Sequence, residues 1–393
     1  MQRYNFIIKI LIIFLSLKKF HAQENQFRAA TIGFYNVENL FDTIPSAGFV
    51  NGNLDYQDEF YHTSISQEKI PVLDTVNCKC RYSEENLKGK QIIRPLILAE
   101  DFIPTGPKTW TSQRYQQKIE NLSQVIANLG RDKTKDFPVL VGLAEVENRE
   151  VVQDLIHSKA LEKADYGLVH FNSWDARGID VALIYQKKRF VVHEKKKIEV
   201  EVYDEKGARD YTRDILKVGG ELDGEQIYVF VNHWPSRRGG EAVSFPKREK
   251  AAQVLKAEMS AIKAKNPSVK ILVMGDFNDN PTDESITKVL GAGGESEKWV
   301  NLLLRDFRKG NGTLAYRDSW NLFDQIIVSR NLLRQDFESY QVYQTRIFKP
   351  YYLETATGAY KGYPQRMFAG DQYNPQGVSD HFPVYTILLK KVK

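Results

Sequence analysis

Three short apolar runs restrict this chain to layers of sheet and helix. Residues 139–144, 227–231 and 271–275 are rich in Val, Ile and Leu and too short for a core helix, so they read as buried strands. Helical patterns stand between and beside them. Thr111 and Ser112 open a helix in which Tyr115, Ile119, Leu122, Ile126 and Leu129 share a face, and Gly130 stops it. A short helix is expected over 151–158, and a longer one over 247–264 with Ala251, Val254, Leu255 and Met259 on one side. Residues 178–185 and 322–328 read as further strands. Residues 191–202 alternate with Lys and Glu, as an edge strand does. This alternation of elements implies an α/β class.

Each buried run ends in a residue able to bind a cation or move a proton. The first ends at Glu145, the second at Asn232 and His233, and the third at Asp276, with Asn278 two positions on. Near the start, Asn36 and Glu38 close another alternating run, and Ser379-Asp380-His381 precedes the last apolar run, 384–389. Alone, each piece has an ordinary reading as a cap or turn, because Asp and Asn bond their own backbone. Together on strand ends, carboxylates and amides suit a hard cation, Mg²⁺ or Mn²⁺. Two histidines are left over for phosphate contact or proton transfer. A carboxylate ending an apolar strand is otherwise costly, which makes Glu145 the foremost metal-ligand candidate. If the chain stays extended past Asp276, Asp276 and Asn278 point the same way.

The set Asn36-x-Glu38, Glu145, Asn232-His233, Gly275-Asp276-Phe277-Asn278 and Ser379-Asp380-His381 resembles the endonuclease/exonuclease/phosphatase superfamily, from about Thr31 to Leu389. Asn36 to Asp42 and Asn232 to Gly240 are most similar to a bacterial, often exported branch. The resemblance implies a four-layer α/β sandwich: two facing mixed β-sheets flanked by helices, with the site at one end. It implies metal-assisted phosphoester hydrolysis, which needs a bound cation, an oriented water and a proton for the leaving oxygen. It places Asn36, Glu38 and Asp380 with Glu145 around the metal. Asp276 would polarise the attacking water, and Asn278 would hold that water or a phosphate oxygen. His381 would contact phosphate, with Asp324 beside it. His233 would donate a proton, oriented by Asp180. Arg177, Arg237 and Arg238 are candidates for phosphate contact, since guanidinium matches its geometry.

Two segments break the rhythm. Residues 43–109 form a connection far longer than usual and read as an elaborated loop or small subdomain inserted into one domain, 23–393. Residues 340–378 are rich in Tyr, Gly and Pro and read as a loop, with Tyr351, Tyr352, Tyr360, Tyr363 and Arg366. Its aromatics could stack bases or sugars, or simply pin the loop down. The start of the chain, with Arg3 and Lys9 about an apolar run ending at Leu17 and a small residue at Ala22, reads as a signal peptide over 1–22. An exported protein, periplasmic or secreted, is expected. Net charge is +5, and four basic residues lie in 1–22 with no acid, so the remainder carries about +1. That gives no support to a dominant polyanion-binding surface. Cys78 and Cys80 are too close for an unkinked disulfide and too few for a closed zinc site.

The sequence therefore leads to a divalent-metal-dependent phosphoester hydrolase with no stable protein partner. Phosphodiester cleavage of nucleic acid is the leading reading. A phosphatase or phospholipase C-type hydrolase of sugar phosphates or lipid head groups is the alternative. A non-catalytic binding protein on the same scaffold is disfavoured by the full complement of Glu145, His233, Asp276, Asn278, Asp380 and His381.

Overall fold

The computed structural model describes residues 26–43 and 101–392, apart from 174, 176 and 295–297, together with four short strands within 49–95. The signal peptide expected over 1–22, the Cys78–Cys80 pair and most of the 43–109 insertion lie outside the described residues.

Twelve strands make two six-stranded sheets. In chain order they are β1 (Phe27–Leu40), β2 (Leu140–Val146), β3 (Tyr166–His170), β4 (Asp180–Gln186), β5 (Phe190–Ile198), β6 (Ile215–Leu222), β7 (Glu225–His233), β8 (Lys270–Asp276), β9 (Trp299–Asn301), β10 (Asp324–Ser329), β11 (Gln341–Ile347) and β12 (Val384–Lys391). The first sheet has the order β11-β12-β1-β2-β4-β3, the second β9-β10-β8-β7-β6-β5. Both are built alike. A central parallel pair, β1/β2 or β7/β8, is flanked by antiparallel neighbours. A helix lies between the members of each parallel pair, as a parallel crossover requires.

Those helices are α1 (Ser112–Asn128) and α3 (Glu241–Lys265), with α2 (Arg149–His157) beside α1. The Thr111 side chain caps α1 and the Asn148 side chain caps α2, each accepting a backbone N–H of the first turn. The apolar face expected for α1 is buried, with Tyr115, Ile119, Leu122 and Ile126 packed on the outer face of the first sheet. Ala251, Leu255 and Met259 of α3 do the same for the second. A third cluster, including Phe34, Leu140, Val229, Leu272, Met274 and Ile326, lies between the sheets. Gly142 belongs to that interface: a Cβ there would lie 2.4 Å from the sulfur of Met274, so the sheets meet closely only because the position has no side chain. The result is the four-layer α/β/β/α sandwich.

Three elements differ from the sequence reading. Helix α3 begins at Glu241 rather than at 247; Pro246 sits in its second turn, where a proline reads as a boundary. Helix α2 begins at Arg149, one turn-half earlier than expected. Residues 341–347, read as loop, form β11, which closes the first sheet by pairing with β12. The expected edge strand is β5, at the rim of the second sheet.

Candidate active site

The carboxyl ends of β1, β2, β7 and β8 open at one end of the sandwich, and their last residues leave regular extended geometry there. Glu38, Asn39, Glu145 and Asn278 all have positive φ, between 50° and 65°. Pairing slips between Asn36 and Leu40 on β1 and between Ala144 and Val146 on β2. Non-glycine residues avoid this region, and bulges re-aim side chains, so four strained positions at one strand-end cluster mark a site rather than a core.

Asp276 is the hub. Its Oδ2 accepts a hydrogen bond from Asn36 Nδ2 at 3.0 Å and lies 3.6 Å from His233 Nε2 and 4.0 Å from His381 Nε2. Its Oδ1 accepts the backbone N–H of Asn278. That tight turn, with Asn278 at φ 50°, replaces the extended geometry expected after Asp276. Asn278 donates its side-chain amide to the Trp234 carbonyl. Burial, with Asp324 nearby, pushes the Asp276 carboxyl up to about 6 against the pull of His381 and the amides.

The two histidines are driven apart. Burial opposes a charge on His381, but Asp324, whose Oδ2 is 2.7 Å from Nδ1, together with Asp380 and Asp276 raises its pKa well above the imidazole norm. His233 is held well below that norm by burial and by Arg213 and Arg177. One imidazole is thus a cation facing the hub and the other a neutral ring. Environments that separate two like groups in this way assign them different proton tasks.

Around the hub stand three more carboxylates. Glu145 accepts from Asn39 N–H and from Arg177 at 3.2 Å; burial works against its charge, yet Arg177 and His381 keep its pKa below the ordinary value. Arg366 bridges Glu38 Oε1, at 2.6 Å, and Asp380 Oδ2, at 3.2 Å. Burial and Asp380 push Glu38 up to about 7 despite Arg366 and Lys118. Its other oxygen, Oε2, is buried without a hydrogen-bond partner.

These donors fit a hard divalent cation. All are oxygens, one is orphaned, and the surplus negative charge is at present met by two arginines. Glu38, Glu145 and Asp380 would hold the ion, with Asn36 beside them, and it would supply charge neutralisation to phosphoryl oxygens. Among the described residues, the group of three acidic or histidine side chains whose ligand atoms lie within 4.8 Å of one another is Asp276, Asp324 and His381, not Glu38, Glu145 and Asp380. There the Asp324–His381 hydrogen bond already occupies the histidine Nδ1, so that trio reads as an oriented imidazolium rather than a metal cage.

Two expectations are corrected. Asp180 does not pair with His233. As the first residue of β4 it turns toward β3 within its own sheet, where it accepts from Ser173 and lies 3.3 Å from His170. His233 Nδ1 is left buried with no partner, so a proton-donor role lacks its orienting acid. Arg237 does not face a substrate. It is spent on Asn278 O, Glu241, Asp279 and Asp283, and so braces the turn after β8. Arg177, by contrast, sits on Glu145 and Asn39 inside the site.

The sequence reading passed over Lys118 and Arg213. Lys118, buried in α1, donates to the Val378 carbonyl, and burial lowers its pKa to about 8. Its position was a signal: it lies three residues after Tyr115 and four before Leu122, on the apolar face. Arg213 joins Asp175 to the Trp234 carbonyl, and no sequence pattern marks it. Residues at the end of the insertion do reach the site. Phe102, Lys108 and Trp110 join Glu38, Arg366 and Phe368 around a cavity of about 250 Å³.

The sequence matches the endonuclease/exonuclease/phosphatase family over residues 78–391. No curated protein sequence matches. Among solved structures, the chain is similar to an endonuclease/exonuclease/phosphatase family protein from Bacteroides thetaiotaomicron, at 14% identity and a TM-score of 0.47, covering 94% of this chain and 97% of that one. A mannosyl-6-phosphatase from the same organism gives 13% and 0.46, covering 91% and 99%. A humanized TDP2 from D. rerio gives 13% and 0.46, covering 71% and 93%. With the matched region extending from 78 to 391, the chain belongs to the endonuclease/exonuclease/phosphatase family of phosphoester hydrolases.

Proposed function

We propose that the protein is a divalent-cation-dependent phosphodiesterase acting on nucleic acid. The observation that carries the reaction class is the Asp276 hub, with His233 at 3.6 Å, His381 at 4.0 Å and Asn36 at 3.0 Å, next to three carboxylates with an orphaned oxygen. A cation held by Glu38, Glu145 and Asp380 would neutralise the phosphoryl group. Asp276 is placed to accept a proton from the attacking water. His381 and Arg177 would offer positive charge to the equatorial oxygens of the five-coordinate phosphorus in the transition state.

A second reading, hydrolysis of a small phosphoester, is favoured by the cavity beside Glu38, whose volume of about 250 Å³ suits a compact leaving group. One experiment separates them. Purified protein with Mg²⁺ or Mn²⁺ is offered single- and double-stranded DNA, RNA, sphingomyelin and phosphorylated sugars. Cleavage of polynucleotide that chelation abolishes is the expected result. Exclusive release of phosphate from sugars selects the second reading, and full activity in excess chelator refutes the metal assignment.

A further inference from the structure

We propose that Lys118 of α1 is a positioning residue for the catalytic end: it anchors the neck of the loop 366–378 and so sets Asp380 and His381 against Glu38. This rests on the metal and phosphate roles read above for Asp380 and His381. The loop is closed on itself. The Val378 N–H donates to the Gln365 carbonyl at 2.6 Å, and the Asn374 N–H to the Met367 carbonyl at 2.7 Å. At the neck the two chain segments touch, since a Cβ on Gly377 would strike the Arg366 carbonyl. Arg366, bonded to Glu38 and Asp380, enters the neck, and Ser379-Asp380-His381 leaves it. A slip there moves site groups on both sides.

Helix α1 holds that neck with one polar stripe. Arg114, Lys118 and Asn121 are spaced i, i+4 and i+7, so they lie along one side of the helix, beside the apolar face of Tyr115, Ile119 and Leu122. The Arg114 guanidinium stands 4.4 Å from the centre of the Tyr373 ring. The Asn121 amide donates to the Pro375 and Gly377 carbonyls, at 2.9 Å each, and its oxygen accepts from Gln117 at 3.0 Å. Lys118 Nζ donates to the Val378 carbonyl at 2.5 Å. Val378 thus gives its N–H to the other side of the neck and its carbonyl to the helix. Arg114 and Asn121 are half-buried, whereas Lys118 is 1% exposed.

A wholly buried ammonium is costly, and lysine is seldom placed so without a paired charge. Glu38, Asp380 and Glu145 all act on the Lys118 charge and sustain it against burial. Two roles with opposite signs follow from that neighbourhood. A counter-charge behind the carboxylates would repel a divalent cation, so its removal would tighten metal binding. An anchor would hold Asp380 ready to bind, so its removal would loosen metal binding. The hydrogen bonds decide for the anchor. Lys118 Nζ bonds a backbone carbonyl, whereas the carboxylates of Glu38 and Asp380 are met by Arg366, at 2.6 and 3.2 Å. The Arg366 side chain is half exposed, so an ion can take its place; Lys118 is enclosed and stays.

The test uses the whole chain and two variants. Lys118→Met keeps the length of the side chain and removes the donor and the charge. Asn121→Ala frees two neck carbonyls and changes no charge. Mg²⁺ affinity is measured by calorimetry, and kcat and KM on bis(p-nitrophenyl) phosphate at saturating Mn²⁺. Chymotryptic cleavage after Phe368 or Tyr373 is followed in chelator. Lys118→Met is expected to bind Mg²⁺ roughly 10–100-fold more weakly, the usual cost of losing a group that orients a metal ligand. Its kcat should fall by a similar factor, and its loop should be cut faster than in wild type. Asn121→Ala moves the same three readouts in the same direction by less. Mg²⁺ binding by Lys118→Met as tight as in wild type, or tighter, overturns the proposal, since it leaves Lys118 a counter-charge. If Lys118→Met does not fold, Asn121→Ala decides: wild-type affinity, kcat and cleavage overturn the proposal, and weaker affinity with faster cleavage sustains it. Failure of wild type to bind Mg²⁺ or to hydrolyse any phosphoester refutes the catalytic reading instead. The anchor then stands on faster cleavage of the loop in the variants and falls on unchanged cleavage.

Discussion

At the scale of single residues, the site is a set of charges that only one another can satisfy. Asp324 is the clearest case: fully buried, it is useful only through His381. Asp324→Asn keeps the shape and removes the charge that sustains the imidazolium. The expected loss is roughly 10²–10⁴ in kcat/KM, the usual scale for a positioned proton-transfer or charge-bearing group. Metal affinity measured by calorimetry should be unchanged, because Asp324 does not belong to the Glu38–Glu145–Asp380 set; a parallel fall in affinity would move Asp324 into the metal site. Arg366 tests that set from the other side. Its guanidinium meets both Glu38 and Asp380, as a cation would. In Arg366→Gln the carboxylates lose that neutralisation, so Mg²⁺ should raise the melting temperature more in the variant than in wild type. An equal rise in both would show that the ion binds elsewhere.

At the scale of elements, the sequence was most legible where burial and periodicity agree. The strands β2, β7 and β8 were readable because an apolar run of strand length ending in Glu145, His233 or Asp276 has few other uses. Helix α1 was readable because its cap, face and stop all coincide. What failed has a common cause: information held by partners distant in sequence. Strand β11 carries Tyr343, Gln344 and Arg346, and nothing in its own residues announces that β12 will pair with it. Asp180 was read from its place in an apolar strand, but which neighbour it meets depends on β3, and His170 there takes what His233 does not. Asp214, just ahead of β6, gives an element-scale prediction. It accepts the Val200 N–H at 3.2 Å, and burial raises its pKa to about 7 despite Lys197. An acid with a raised folded pKa costs nothing while protonated in both states. The cost grows as pH climbs from the unfolded value near 3.8 and is complete above about 7. Asp214→Asn keeps an acceptor for Val200 and should therefore stabilise the protein at pH 8 and lose that advantage near pH 4. Thermal melts at the two pH values check this; a variant destabilised at both would mean that the Lys197 pairing outweighs burial.

At the scale of the whole molecule, each half of the fold contributes one parallel pair, and the site forms where the two pairs end together. Asn36 of the first half bonds Asp276 of the second, and Asp324 bonds His381 across the sheets. One cavity, beside Glu38, reaches that centre. It is enclosed by segments that the sequence showed only as irregular stretches. Lys108, at the end of the insertion, donates to Gly370 O at 2.6 Å and meets Asp371 at 3.0 Å. Phe102 stacks on Phe41 at 4.7 Å and meets Phe368 edge-on at 6.5 Å. Loops on a rigid scaffold set what fits, so this wall should govern small substrates alone. Phe368→Ala removes one side of it without touching the charges at the hub. KM for a small phosphoester should rise about tenfold, some 1.4 kcal/mol of binding, with kcat nearly unchanged, because the lost contact acts equally on ground and transition states. Cleavage of an oligonucleotide, too large for that cavity, should be unaffected. Steady-state kinetics on both substrates decide it: a matched fall in kcat for both would make Phe368 a support of the catalytic centre, and no change for either would leave the cavity without a role in substrate choice.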